Sequence, residues 1–266
     1  MANDVLPIIL RGRPDLAKFK ARGRAFDWLN YDSLQTFKVE DDFLGDIAVA
    51  TREPGYDTST NGTSSAAAAL TSGAIGGTCD LVTGTDDNGH SGLYLGGGGH
   101  FSGDNNPRMT ARIKVDAITS VKIEVGFTDA TSDAGAINAL DTPTITADNC
   151  CVAIFDTDAT EDNWQFAGGR ATVPWSDATV DVAPVAATYQ WITVALNRVD
   201  LATDNMDAYL YIDGVLKATK RLGAIANATV LYPYILVQAR AGAASRTLTC
   251  DYFGAWADRS VGGLGI

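Results

Sequence analysis

The chain has 266 residues, 46% of them hydrophobic and 20% charged, with a net charge of −12. That is ordinary globular composition, and a core of this size needs no disulfide staples. The acidic balance argues against nucleic acid as a partner, and no apolar run is long enough to span a bilayer.

Residues 1–38 differ from the rest of the chain. Within residues 1–24, Arg11, Arg13, Lys18, Lys20, Arg22 and Arg24 stand against Asp4 and Asp15, a local +4 that leaves −16 for the remainder. Apolar groups interrupt the charges: Leu6, Ile8, Ile9 and Leu10, then Phe19, Phe26, Trp28 and Tyr31. The opening stretch lacks the layout of a signal peptide. A segment of this kind either docks on an acidic protein surface or is a solvated terminus. The arm is taken as residues 1–38, with one domain over 39–266. The candidate docking residues are Leu6, Ile8, Ile9, Arg11, Arg13, Phe19, Phe26 and Trp28.

The body reads as strands. Asp41–Asp46 is predicted as its first, and residues 51–65 as a loop by composition. Short strands alternate with turns from Ala66 to Leu95. The glycine run 96–99 is followed by His100-Phe101-Ser102 and by no helical pattern, so it lacks the context of a phosphate cradle. Met109, Ala111, Ile113 and Val115 oppose Thr110, Arg112 and Lys114. Val121, Ile123, Val125 and Phe127 oppose Lys122 and Glu124. Both runs have the period-two alternation of half-buried strands, with Lys122 and Glu124 on the polar side. Residues 128–148 form a long polar loop. Cys150–Phe155, Asn163–Ala167 and Thr179–Val182 are further strands.

The strongest pattern spans Tyr189 to Lys220. Ile192, Val194 and Leu196 alternate with Trp191, Thr193 and Ala195. Ala208, Leu210 and Ile212 alternate with Tyr209, Tyr211 and Asp213. Asp213-Gly214 suits a type I′ turn, whose central residues need positive φ. Val215–Lys220 returns as a third strand of the meander. Pro233–Arg240 and Arg246–Trp256 complete about a dozen strands, the count and spacing of an all-β sandwich or barrel.

Four cysteines are present, Cys79, Cys150, Cys151 and Cys250. Cys150 and Cys151 are adjacent, so on a strand they point to opposite faces and do not pair. No CxxC metal pattern occurs, and four free thiols are expected. His90 and His100 are the only histidines, and no Ser/His/Asp set can be argued from their spacing. Trp191 and Trp256 alternate with apolar positions and are expected in the core. Trp175, in Val173-Pro174-Trp175-Ser176-Asp177, is the candidate for an exposed ring that stacks on a glycan.

Several motifs together resemble a known family. They are Val125-Gly126-Phe127-Thr128-Asp129-Ala130, Phe155-Asp156-Thr157-Asp158-Ala159, Tyr211-Ile212-Asp213-Gly214, and Val237-Gln238-Ala239-Arg240 with Arg246 to Phe253 after it. Ala255-Trp256-Ala257-Asp258-Arg259 completes the set. In this order they resemble the concanavalin A-like, or laminin G-like, jelly-roll domains of tailed-bacteriophage virion proteins, over about residues 40–259. The resemblance implies a two-sheet antiparallel jelly-roll sandwich. It implies a structural virion protein, a capsid decoration protein held by its N-terminal arm. The expected partners are other virion proteins, the major capsid protein first, and sister copies in a trimer. The protein would be assembled in the host cytoplasm and would bind no nucleic acid or membrane. A carbohydrate-binding adhesin of a head or tail fibre is the alternative.

Glucan hydrolases share this superfamily. They carry two carboxylates in step on one strand, about 5–5.5 Å apart in retaining enzymes. No acidic-x-acidic-x-acidic strand is present, so no enzyme is expected. Asp156, Asp158, Glu161 and Asp162 form an oxygen-rich cluster of the kind calcium takes, without the glycine and distal glutamate of an EF-hand loop. Laminin G-like and lectin domains hold calcium in loops, so this cluster is the candidate metal site. No other cofactor is expected.

Overall fold

A computed structural model of the chain describes residues 36–44, 55–61, 66–71, 77–96, 101–131, 134–177, 180–200, 205–226, 228–242 and 244–259. The candidate arm residues, Leu6 to Trp28, lie outside them, as does His100.

Two large antiparallel sheets pack face to face. Strands are numbered in chain order. The first sheet holds β1 (Thr36–Asp41), β3 (Ala67–Leu70), β4 (Cys79–Val82), β6 (Arg108–Val115), β13 (Gln190–Asp200), β14 (Asn205–Ile212), β15 (Val215–Lys220) and β17 (Thr247–Asp258). Their order is β15-β14-β13-β6-β17-β4-β3, with β1 also paired to β17. The second sheet has the order β12-β11-β10-β7-β16-β5-β2. Its members are β2 (Tyr56–Asn61), β5 (His90–Leu95), β7 (Val121–Thr128), β10 (Cys150–Asp156), β11 (Gln165–Arg170), β12 (Val173–Asp177) and β16 (Tyr232–Ala239). A small hairpin, β8 (Ile137–Ala139) with β9 (Thr144–Ile145), lies apart from both. This is the architecture of a concanavalin A-like jelly-roll sandwich.

The meander forms as its alternation dictates. Ile192 pairs with Ile212, Val194 with Leu210 and Leu196 with Ala208. All six are buried in the core. Asp213 and Gly214 take φ of 50° and 78°, the sign a type I′ turn requires at both positions. Asp213 also ties the turn to the neighbouring strand, because its Oδ1 accepts from the Trp191 amide at 2.9 Å. A one-residue slip would turn this whole inner face to water.

The first strand departs from expectation. It spans Thr36–Asp41, not Asp41–Asp46, and runs along Phe253–Asp258 of β17. Three residues placed by composition in the arm, Thr36 to Lys38, therefore belong to the sheet. Residues 180–182 are not a strand; the Val182 carbonyl accepts from the Trp164 amide as part of a loop. β2 lies inside the segment 51–65 expected as a loop, because its Asp, Ser, Thr and Asn carry no apolar alternation, and β12 is faint because Pro174 interrupts so short a run.

The second sheet has a further layer. β7 and β10 are buried on both faces. Val121, Ile123, Val125 and Phe127 face the core between the sheets. Ala136, Ile137, Leu140 and Ala147, from the long loop, cover the other face over Tyr94, Cys150, Val152, Ile154, Tyr234 and Leu236. The loop is thus a strap, not a solvated excursion. Burying a side chain the size of Ile137 stabilises it by roughly 1.5–3 kcal/mol.

Candidate functional site

Under the strap lies a polar cluster that alternation alone would place in water. Lys122 and Glu124 share the outer face of β7 but are 1% and 0% exposed. Lys122 Nζ sits 2.8 Å from Glu124 Oε1. It also donates to the carbonyls of Ala134 and Ile137. Glu124 accepts from the amides of Ala136, at 2.7 Å, and Ile137, at 3.2 Å, and from the Tyr234 hydroxyl. Burial and the neighbouring Glu124 carboxylate hold the Tyr234 hydroxyl well above its ordinary pKa. Gly135 makes the close approach possible: its φ is 104°, and a Cβ there would lie 2.6 Å from Glu124 Oε1. A buried charge must be paired and hydrogen-bonded to be tolerated, and this pair is both. Its chemistry is that of a clamp holding strap to sheet.

The candidate metal cluster resolves differently. Asp156 is 2% exposed, and both its oxygens accept from Arg240, with Nε at 2.8 Å. Its Oδ1 also caps the Asp158 amide at 3.1 Å. Asp158 Oδ2 stands 3.6 Å from the Arg240 Nε. Glu161 and Asp162 are exposed and join none of this. Among the described residues no group of three or more His, Cys, Asp or Glu is placed to hold a metal. At Asp156, one of the residues expected to bind calcium, the guanidinium of Arg240, just past β16, supplies positive charge.

The tryptophans also depart from expectation. Trp175, expected exposed, is half-buried on edge strand β12. Its Nε1 donates to the Ala224 carbonyl at 2.8 Å, and its ring meets Phe166 edge-on at 5.3 Å. One ring face is thereby taken up in packing, with Lys220 Nζ 5.5 Å from the ring centroid. Trp164 is core, donating to Gln190 Oε1, and Trp256 is buried. Trp191, expected in the core, is half-buried on the outer face of the first sheet. It does alternate with apolar residues, but the apolar set, not the indole, faces inward. His90 is buried with Nε2 3.1 Å from Ser59 Oγ.

Trp191 belongs to a cluster that crosses strands. It lies 5.5 Å from Tyr252 of β17, over β6. The Arg112 guanidinium pairs with Asp251 and lies 4.0 Å from the Tyr189 ring, with Lys114 on the same ring at 4.9 Å. The Tyr252 hydroxyl donates to Glu40 at 2.7 Å. Burial and this carboxylate hold its pKa far above the ordinary phenol value. Half-buried aromatic rings interleaved with charged groups thus present apolar ring surface beside polar tips on the outer face of this sheet. No local motif in the sequence marks it, because its members come from four strands, β1, β6, β13 and β17, and from Tyr189 just before β13.

No family model matches the chain, and no curated protein matches it. Solved structures do. A protein of unknown function from Shewanella oneidensis MR-1 superposes with a TM-score of 0.56 at 16% identity, covering 87% of this chain and 90% of that one. An endo-1,3-beta-glucanase from Streptomyces sioyaensis gives 0.52 at 12%, covering 84% and 96%. Peanut lectin gives 0.51 at 12%, covering 84% and 97%. The fold is that of the concanavalin A-like jelly rolls. Lectins and hydrolases share it, so at these identities it assigns no activity.

Proposed function

We propose that this chain is a non-catalytic display domain, a structural protein of a virion surface anchored through its basic N-terminal segment. One observation carries the non-catalytic part. On β7 the side chains in step are a lysine and a glutamate, ion-paired and sealed beneath the strap. A retaining glycosidase needs two carboxylates about 5–5.5 Å apart on an open cleft, one of them free to donate a proton. Glu124 is saturated with donors and has no access to substrate. The virion setting is supported by the motif resemblance, with the major capsid protein and sister copies as its partners. Gold-labelled antibody on intact particles tests it. Uniform labelling of heads is the expected result; absence of label from every particle overturns the virion assignment. A reducing-sugar assay on β-glucans is expected to read background.

A second reading, glycan binding, is favoured by the Trp191–Tyr252 cluster and moves the candidate ring away from Trp175. On a glycan array, Trp191→Ala is expected to abolish any signal that Trp175→Ala leaves intact. Equal retention by both variants removes this reading.

A further inference from the structure

All four cysteines are buried thiols, and two of them face each other. Cys79 of β4 is the direct cross-strand neighbour of Cys250 of β17. Both side chains enter the core between the sheets, so they leave the ladder on the same side. The ladder's phase is set by the Thr83 amide, which donates to the Arg246 carbonyl at 3.0 Å. Stepping by two makes Leu81–Leu248 and then Cys79–Cys250 hydrogen-bonded pairs. Such pairs hold their Cα atoms about 5.5 Å apart, within the roughly 4.4–6.8 Å that disulfides span, while their Cβ atoms stand toward the wide end of about 4.5–5.5 Å, beyond the roughly 3.5–4.5 Å of a relaxed bridge, so closure must draw the two strands together at this rung. Cys150 and Cys151 have no such relationship. They are consecutive on β10, one facing the strap cluster and the other the main core.

We propose that Cys79 and Cys250 are a latent disulfide, an oxidation site that staples β17 to β4 when the chain meets a small disulfide oxidant such as oxidised glutathione. The thiolate of one cysteine attacks an oxidant sulfur, and one glutathione thiolate leaves. The second cysteine, deprotonated, attacks the mixed disulfide at the protein sulfur, and the second glutathione leaves. The two protein sulfurs are oxidised, the oxidant is reduced to two thiols, and the two cysteine protons end on those thiols. The Cys250 thiol now donates to the Tyr252 carbonyl at 3.2 Å, so this weak bond is exchanged for the covalent one. Burial holds the Cys250 thiol well above its ordinary pKa, and the nearby Cys79 adds to this. Oxidation therefore waits on opening of the seam. The opening element is at hand: β4 has four residues, and its other neighbour is the four-residue strand β3 at the end of the sheet.

The test equilibrates the full chain in a series of reduced and oxidised glutathione mixtures. One set starts from folded protein. A second refolds from urea in the same mixtures, so that slow access cannot conceal the reaction. Samples are acid-quenched, alkylated under denaturing conditions and mapped as peptides. The expected result is loss of two of the four alkylatable thiols, one cross-linked peptide pair containing Cys79 and Cys250, and a raised urea midpoint. Cys79→Ala should retain every remaining thiol, while a Cys150→Ala, Cys151→Ala double variant should still lose two. Four thiols surviving every mixture in both sets overturns the proposal, as does a cross-link through Cys150, Cys151 or a second copy. The wild-type map alone decides the pairing if a variant fails to fold.

Discussion

Glu124 and Tyr234 sit on neighbouring strands of the second sheet, and the tyrosine hydroxyl donates to the carboxylate beneath the strap. With Lys122 they turn a sheet face that would otherwise be open into an interior. The strap is held to the sheet by charge as well as by apolar contact.

The ion pair predicts an asymmetric mutational response. Glu124→Gln strands the Lys122 ammonium, and Lys122→Met strands the carboxylate. Each should cost about 3–5 kcal/mol in urea unfolding, because a buried charge is left uncompensated. The double variant Lys122→Met, Glu124→Gln should cost less than either single change, because no charge is then left buried. A double variant as unstable as the sum of the singles would mean the two groups act independently.

Alkaline pH should destabilise the fold, and the direction of the shifts gives the sign. Burial raises the pKa of the Tyr234 hydroxyl and of the Cys150, Cys151 and Cys250 thiols. The folded state therefore holds these protons more tightly than the unfolded chain. That contribution is fully present below the unfolded values, about 8.5 for Cys and 10 for Tyr. It is lost as pH rises from those values toward the folded ones. Tyr234→Phe should flatten the fall in urea midpoint above about pH 10, where the unfolded tyrosine ionises. It should also cost about 1–3 kcal/mol at neutral pH by removing a donor from Glu124.

Calcium should leave stability unchanged. Arg240 already occupies the carboxylate of Asp156, so thermal midpoints in millimolar calcium and in chelator should coincide. Arg240→Ala reverses the situation: the protein should lose about 3–5 kcal/mol, the range for breaking a buried pair. A stabilisation of the wild type by calcium would place a metal site elsewhere on the chain.

The edge of β17 separates anchor from fold. A chain beginning at Leu34 keeps β1 and should retain its melting midpoint while losing attachment to particles stripped of the native protein. A chain beginning at Asp42 removes β1 and exposes the edge of β17 from Phe253 to Asp258. Unpaired edges of this length invite aggregation, so a lowered midpoint and self-association in light scattering are expected. Full attachment by the chain beginning at Leu34 would dismiss the arm as the anchor.

Local pattern alone determined the all-β class, the meander from Tyr189 to Lys220, its Asp213-Gly214 turn and the inward faces of β6 and β7. Each depends on residues a few positions apart, where period-two alternation and turn stereochemistry act directly. The opposite facing of Cys150 and Cys151 comes from the same period. Tertiary structure decided the rest. Whether Lys122 and Glu124 meet water depends on a strap, and alternation only says that they share a face. Whether Asp156 takes a cation depends on Arg240, 84 residues away. Trp175 is half-buried because Ala224 and Phe166 reach it, and Trp191 finds Tyr252 only because β6 brings their strands to either side. Cys79 and Cys250 are neighbours only through the register of β4 on β17. Burial, charge pairing and cross-strand contact are properties of the packed sheets, set by which distant segments the sandwich brings together.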